Sequence, residues 1–375
     1  MLFTKKTKRF GEHEKAFGFL RLLFASLVII AHCHETADGS NINEPLHRLF
    51  GTISLGTISV YGFFIISGYL ITSSFSNSKS NFSYLVKRIA RIYPGFIVAS
   101  FFCLFIVAPL AGGIGPLSKA AVLGIVHIFA LQPPETENPF AGTYFPALNG
   151  AMWTISYEFR CYVLVLVLGL LGRFRTGPWL IAALAILMLV VAKATPDQIV
   201  QKFDSAHGHP GLWFGRYRDA FNFFGVFLAG SAFYVFRDRI SVRSDLAVVA
   251  VIGLALGLCY RPIVEAFFSV FGGYLIFYIA SFGAQTFLKE INNKTDVSYG
   301  VYLYGWPVMK LLQMYIGVQP VWLIIGLTLA ISYVLGLLSW WCVEKPVLQL
   351  ARTFLSRRET RAMAAGDPQK PVEFS

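Results

Sequence analysis

The residues of this chain best suited to chemistry sit where ionisable side chains are costly. Arg21 and His32 lie inside the first apolar run, residues 17–36. A charge within a membrane span is penalised by desolvation and is a functional candidate by default. The two residues are eleven positions apart. At about 100° per residue, a helix returns them to within about 20° of each other, roughly 16 Å apart along the axis. A guanidinium binds phosphate or carboxylate through paired hydrogen bonds. An imidazole can take a proton from a hydroxyl or carry an acyl group transiently. Glu35, one turn beyond His32, is close enough to orient the ring and raise its basicity. His34 points elsewhere on a continuous helix, which argues against a two-histidine metal site. Taken singly, Arg21 is also open to a snorkelling role and His32 to that of a hydrogen-bonded core histidine. Their common face, with Glu35 beyond it, favours function.

Three further segments carry candidate groups. Gly62-Phe63-Phe64-Ile65-Ile66-Ser67-Gly68-Tyr69-Leu70-Ile71 places small residues inside an apolar helix, where they permit close helix packing. In Lys87-Arg88-Ile89-Ala90-Arg91-Ile92-Tyr93-Pro94, Arg88 and Arg91 share a face. They suit either a phosphorylated ligand or an ordinary topogenic cluster. In Asn149-Gly150-Ala151-Met152-Trp153-Thr154-Ile155-Ser156-Tyr157-Glu158, Glu158 is expected just inside the outer end of a span, with His32 or Arg160 as its partner. Trp153 suits an interfacial anchor or a sugar-stacking platform.

The elements that position these residues are apolar helices. The chain has 375 residues, of which 55% are hydrophobic and only 14% charged, against about 25% charged in soluble domains. Apolar runs fall near 17–36, 55–75, 92–111, 117–132, 154–172, 178–193, 219–236, 245–260, 262–285, 298–316 and 320–342. The net charge of +12 comes mostly from loops between these runs, so it reads as membrane orientation rather than as a nucleic-acid footprint. Clusters at Lys5–Lys15, Lys79–Arg91, Arg173–Arg175, Arg237–Arg243, Lys289–Lys294 and Arg352–Arg361 mark cytoplasmic segments. Residues 132–153 carry no Lys or Arg and should face outward. These assignments agree if 117–132 does not cross the membrane. The expectation is an all-α polytopic membrane protein of about ten transmembrane helices, with both termini in the cytoplasm. The segment 194–217 is then external despite Lys202 and Arg216. The polar first 15 residues read as a cytoplasmic segment before a retained first helix. Cys33, Cys103, Cys161, Cys259 and Cys342 read as buried thiols, outside any disulfide framework or zinc site.

Taken in order, the segments resemble acyltransferase family 3, membrane-bound O-acyltransferases that modify bacterial surface polysaccharides. The resemblance is carried by Arg21-x10-His32, by Phe63-Phe64-x-x-Ser67-Gly68-Tyr69-Leu70-Ile71 and by Lys87-Arg88-x-x-Arg91-x-x-Pro94. It continues through Trp153-Thr154-Ile155-Ser156-x-Glu158, Ser298-Tyr299-Gly300-Val301-Tyr302-Leu303 and Glu344-Lys345-Pro346, spanning roughly residues 15–350. Many members have a histidine before the Trp-Pro of the penultimate span, where this chain has Gly305 before Trp306-Pro307.

The resemblance implies an acyl-CoA donor, most simply acetyl-CoA as co-substrate, and a carbohydrate acceptor, either a polysaccharide or a lipid-linked sugar. It implies a multi-pass protein of the bacterial inner membrane with no metal. Residues 16–350 would form the acyltransferase domain and residues 351–375 a disordered cytoplasmic tail. His32, Glu35 and Glu158 are the expected catalytic residues. Arg21, Arg88, Arg91, Ser67 and Gly68 are expected at the donor, and Trp153 and Tyr157 at the acceptor. A polytopic transporter of a small solute or lipid-linked sugar would also carry buried charges. It would usually show two related halves with broken helices at matching positions, and the sequence has neither.

Overall fold

The computed structural model describes residues 16–113, 127–206 and 215–364. These form helices joined by turns and loops, with no β-strand among them. Ten helices matter for the site: α1 Phe17–Asp38, α2 Leu55–Ser76, α3 Asn81–Leu110, α4 Trp153–Leu170, α5 Pro178–Ala194, α6 Tyr217–Val235, α7 Ser244–Leu258, α8 Arg261–Gly283, α9 Ser298–Ile316 and α10 Val321–Arg361.

Among the described residues, α1, α2, α3, α4, α8 and α10 are long and apolar enough to cross a membrane. A seventh span arises if α5 is counted with Asp197–Ser205, which leaves it at 96°. The segment 117–132, expected not to cross, lies mostly outside the described residues, as do the first 15. Helix α10 continues through Ala364. Residues 351–364, expected in a disordered tail, are therefore helical. Large apolar side chains such as Val248, Val249, Val251 and Ile252 of α7 stand exposed on the outer surface, as a lipid-facing helix requires. Three of the five cysteines are buried as expected, whereas Cys259 and Cys342 are exposed.

Local chemistry fixes the helix ends. Ser54 accepts a hydrogen bond from the Thr57 amide at the start of α2, and Ser80 accepts one from the Ser83 amide before α3. Each satisfies a backbone donor that has no intrahelical partner. Gly39 ends α1 with φ 70°, and the Tyr144 ring covers the space a side chain there would need.

Close packing explains the glycine pattern. A methyl group at Gly68 would overlap the Phe227 carbonyl of α6, and one at Gly230 would overlap the Ile65 carbonyl of α2. These two helices thus cross backbone to backbone. Gly300 of α9 lies against Gly336 of α10, with 2.6 Å between an added Cβ and the facing Cα. Helix α1 packs against α2, α9 and α10. Helix α10 has a π-helical turn at Trp340–Glu344, which directs Glu344 into the bundle.

Candidate active site

Four helices, α1, α2, α4 and α9, line both of two adjoining cavities, with α3 and α10 completing the wall of the first and α6 that of the second. The first, about 480 Å³, is basic. Arg21, Lys87, Arg88, Arg91 and Arg352 line it, against the carboxylates Glu158 and Asp296. The second, about 610 Å³, holds His32 and Glu35 with Trp153, Arg216, Asp219 and Trp306. Val60, Thr154 and Tyr302 line both. On α9, Ser298, Tyr302 and Trp306 recur every fourth residue. They therefore share one face, which passes from the basic cavity through the boundary to the histidine. On α1, Arg21 and His32 fall in the two cavities in the order their spacing predicts.

The histidine is held for proton transfer. His32 Nδ1 is 2.8 Å from Glu35 Oε2, and both side chains are partly exposed to the cavity. The carboxylate accepts from Nδ1–H, which leaves Nε2 as the nitrogen with a free lone pair. The Trp306 indole packs edge-on against the imidazole, 4.9 Å between centroids, and its Nε1 donates to the Ala147 carbonyl at 3.0 Å. Thr36, one turn beyond His32, donates to the His32 carbonyl and receives a bond from Gln313. These contacts pin α1 to α9 at this level.

The arginines of the basic cavity divide into two kinds. Arg21 Nη1 lies 3.1 Å from Asp296, and Arg91 bridges Asp296 at 2.7 Å and Glu344 at 3.1 Å. Burial pushes the Asp296 carboxyl up. The Arg21 and Arg91 guanidiniums outweigh burial and, with hydrogen bonds from Ser298 and Asn292, hold it down at about 2. Arg88 instead reaches the Ser74 hydroxyl at 3.4 Å and the ring faces of Tyr84 and Tyr162. Five cations facing two carboxylates leave the cavity with a net positive charge suited to a polyanion.

Glu158 belongs to this basic cavity and not to the histidine. It accepts hydrogen bonds from Ser67 Oγ at 2.8 Å and Tyr162 Oη at 2.6 Å, whereas Glu35 is the carboxylate that engages His32. Glu158 lies in the second turn of α4, and five residues of helix carry it roughly 7.5 Å further along the axis than Trp153.

The chain matches the family described as an acyltransferase domain over residues 14–341. The chain belongs to acyltransferase family 3. Over 91% of its length it is 28% identical to an O-acetyl transferase of Shigella phage Sf6, covering 98% of that protein. Over 92% of its length it is 26% identical to Nodulation protein 10 of Rhizobium leguminosarum bv. viciae, covering 96% of that one. No solved structure matches it. With its long apolar helices, this membership makes the chain a multi-pass membrane acyltransferase.

Within the acyltransferase two of the expected site residues line neither of these cavities. Gly68 lines neither cavity, because it is consumed by the α2–α6 crossing. Tyr157 is 3% exposed, and its hydroxyl accepts from the Arg216 amide at 2.7 Å. It secures the start of α6 instead of facing an acceptor. Ser67 and Trp153 do line the cavities. Before Trp306-Pro307, Gly305 lies against the Ile29 side chain of α1, 2.7 Å from an added Cβ, so a histidine there would need that side chain to move.

Several site residues carried no local signal. Arg216, an awkward charge for an external segment, is paired with Asp219 at 2.7 Å and lies 5.0 Å above the Trp153 ring. Lys310, 2% exposed within α9, donates to Thr143 Oγ1 and the Tyr144 carbonyl at 2.7 and 2.6 Å. It ties down the loop that brings Phe145, Pro146 and Ala147 to the histidine cavity.

Proposed function

We propose that this acyltransferase moves an acetyl group from acetyl-CoA, bound from the cytoplasm, to a hydroxyl of a surface or exported polysaccharide, in the bacterial inner membrane. The observation that carries the proposal is the His32–Glu35 pair facing one cavity that adjoins a second, strongly basic one. An acyl-CoA joins a polyphosphate nucleotide to a thioester by a long flexible arm, and the paired cavities match those two ends.

Arg88, with Lys87 and Arg352, would hold the phosphates, because Arg21 and Arg91 already have carboxylate partners. In the adjoining cavity His32 Nε2 takes the proton of an acceptor hydroxyl as its oxygen attacks the thioester carbonyl. The carbon–sulfur bond breaks, and the CoA thiolate leaves and is protonated. Glu35 steadies the imidazolium formed meanwhile. Trp153 and Trp306 give flat apolar faces beside His32, suited to the C–H face of a sugar ring.

In this reading the protein has about ten spans with both termini cytoplasmic, and the histidine cavity opens away from the cytoplasm. The test is acetyl analysis of surface polysaccharide in a deletion strain restored with wild-type or His32→Ala protein at matched membrane levels. Restoration by the wild type alone supports the proposal; acetyl content independent of the gene ends it.

A further inference from the structure

Tyr302 stands where the two cavities meet. Among the described residues Val60, Thr154 and Tyr302, from α2, α4 and α9, are the ones that line both. Tyr302 is the largest of the three and the most constrained. Its hydroxyl is 2.6 Å from Thr154 Oγ1 and donates to the Ala151 carbonyl at 2.8 Å. Its ring meets Phe63 of α2 edge-on at 5.9 Å, and only 7% of the residue is exposed. Bonded at its tip to α4 and braced along its side by α2, this ring is fixed across the boundary.

Neither cavity excludes a bulky acyl group by its own size, at about 480 and 610 Å³. A straight chain passing end-on is no wider for being longer, whereas a branch beside the carbonyl widens it at once. We propose that Tyr302, with Val60 as the other side chain that lines both cavities beside it, sets the width of the passage through which the acyl end of the donor reaches His32, so that unbranched acyl groups are accepted and α-branched or aromatic ones refused. The proposal rests on the reading that the basic cavity holds an acyl-CoA. Admitting a branched group means displacing the ring, which breaks two buried hydrogen bonds at its hydroxyl.

The experiment compares propionyl-CoA with isobutyryl-CoA as donors for the purified protein in lipid nanodiscs, with acetyl-CoA as reference. Wild type should favour propionyl over isobutyryl by about 100-fold in kcat/KM, as steric rejection in a close-fitting site does. Tyr302→Ala should cut that ratio below about tenfold, and Val60→Ala, a milder change at the same boundary, should lower it in the same direction. A variant that only folds less well loses both rates alike and leaves the ratio unchanged. Ratios that stay at the wild-type value in both variants, or a wild type indifferent to branching, would overturn the proposal alone. A wild type inactive with every acyl-CoA would overturn the donor reading and this proposal with it.

Discussion

His32 Nδ1 and the Glu35 carboxylate lie 2.8 Å apart, one helical turn from each other on α1. The pair needs no other element to form, so the imidazole is oriented by the helix that also carries Arg21 to the basic cavity. Glu35→Gln keeps the size and one hydrogen bond but removes the charge that steadies an imidazolium. The acetylation kcat should fall about 100-fold with little change in KM for acetyl-CoA, read from initial rates over a range of donor concentrations. An unchanged kcat would remove Glu35 from the chemistry.

Arg88 and Arg21 should behave differently although both line the basic cavity. Arg88→Gln removes a cation that has no carboxylate partner among the described residues, so KM for acetyl-CoA should rise about tenfold with kcat largely kept. Arg21→Ala also strips Asp296 of one of its two guanidiniums and should lower the melting temperature as well. Equal melting temperatures for the two variants would contradict this division.

Asp296 is the joint between α1, α3 and the start of α9. Its folded value of about 2 lies below the ordinary 3.8. Its stabilisation is therefore present in full above pH 4 and lost as the pH falls through 2. Asp296→Asn should cost about 2 kcal/mol at neutral pH and flatten part of the acid-side fall in melting temperature. Thermal unfolding in detergent at pH 7, 4 and 3 reads both effects.

Gly68 separates packing from ligand binding. Gly68→Ala forces a methyl group into the Phe227 carbonyl, so α2 and α6 have to part. Stability should drop by about 1–3 kcal/mol, while the KM for acetyl-CoA of the protein that remains folded stays at the wild-type value. A raised KM without loss of stability would return Gly68 to the donor site.

The Arg21–His32 relationship was legible in the sequence because it depends only on the 3.6-residue period of one helix. The same holds for Glu35. What local spacing leaves open is which neighbour a side chain meets. Arg91 pairs with Asp296 and Glu344, more than two hundred residues away, and no periodicity within α3 encodes that choice. Glu344 stood in a recognised motif, and Asp296 lies two residues before another. The usable signal was a carboxylate flanking a motif block near a surplus of arginines. A glycine in a motif has two readings, close backbone packing and close ligand approach; at Gly68 the α6 backbone fills the space beside it, which no local spacing encodes. Tyr302 was visible as a motif residue, but its position at the meeting of two cavities depends on α2, α4 and α9 together.

In the proposed reaction His32 performs the transfer while a separate basic cavity holds the donor. The most direct measurement uses purified wild-type and His32→Ala protein in lipid nanodiscs, with radiolabelled acetyl-CoA and the acceptor polysaccharide, and reads donor binding and label transfer in the same samples. His32→Ala should bind acetyl-CoA with wild-type affinity and transfer no label. Transfer by His32→Ala at the wild-type rate would contradict it.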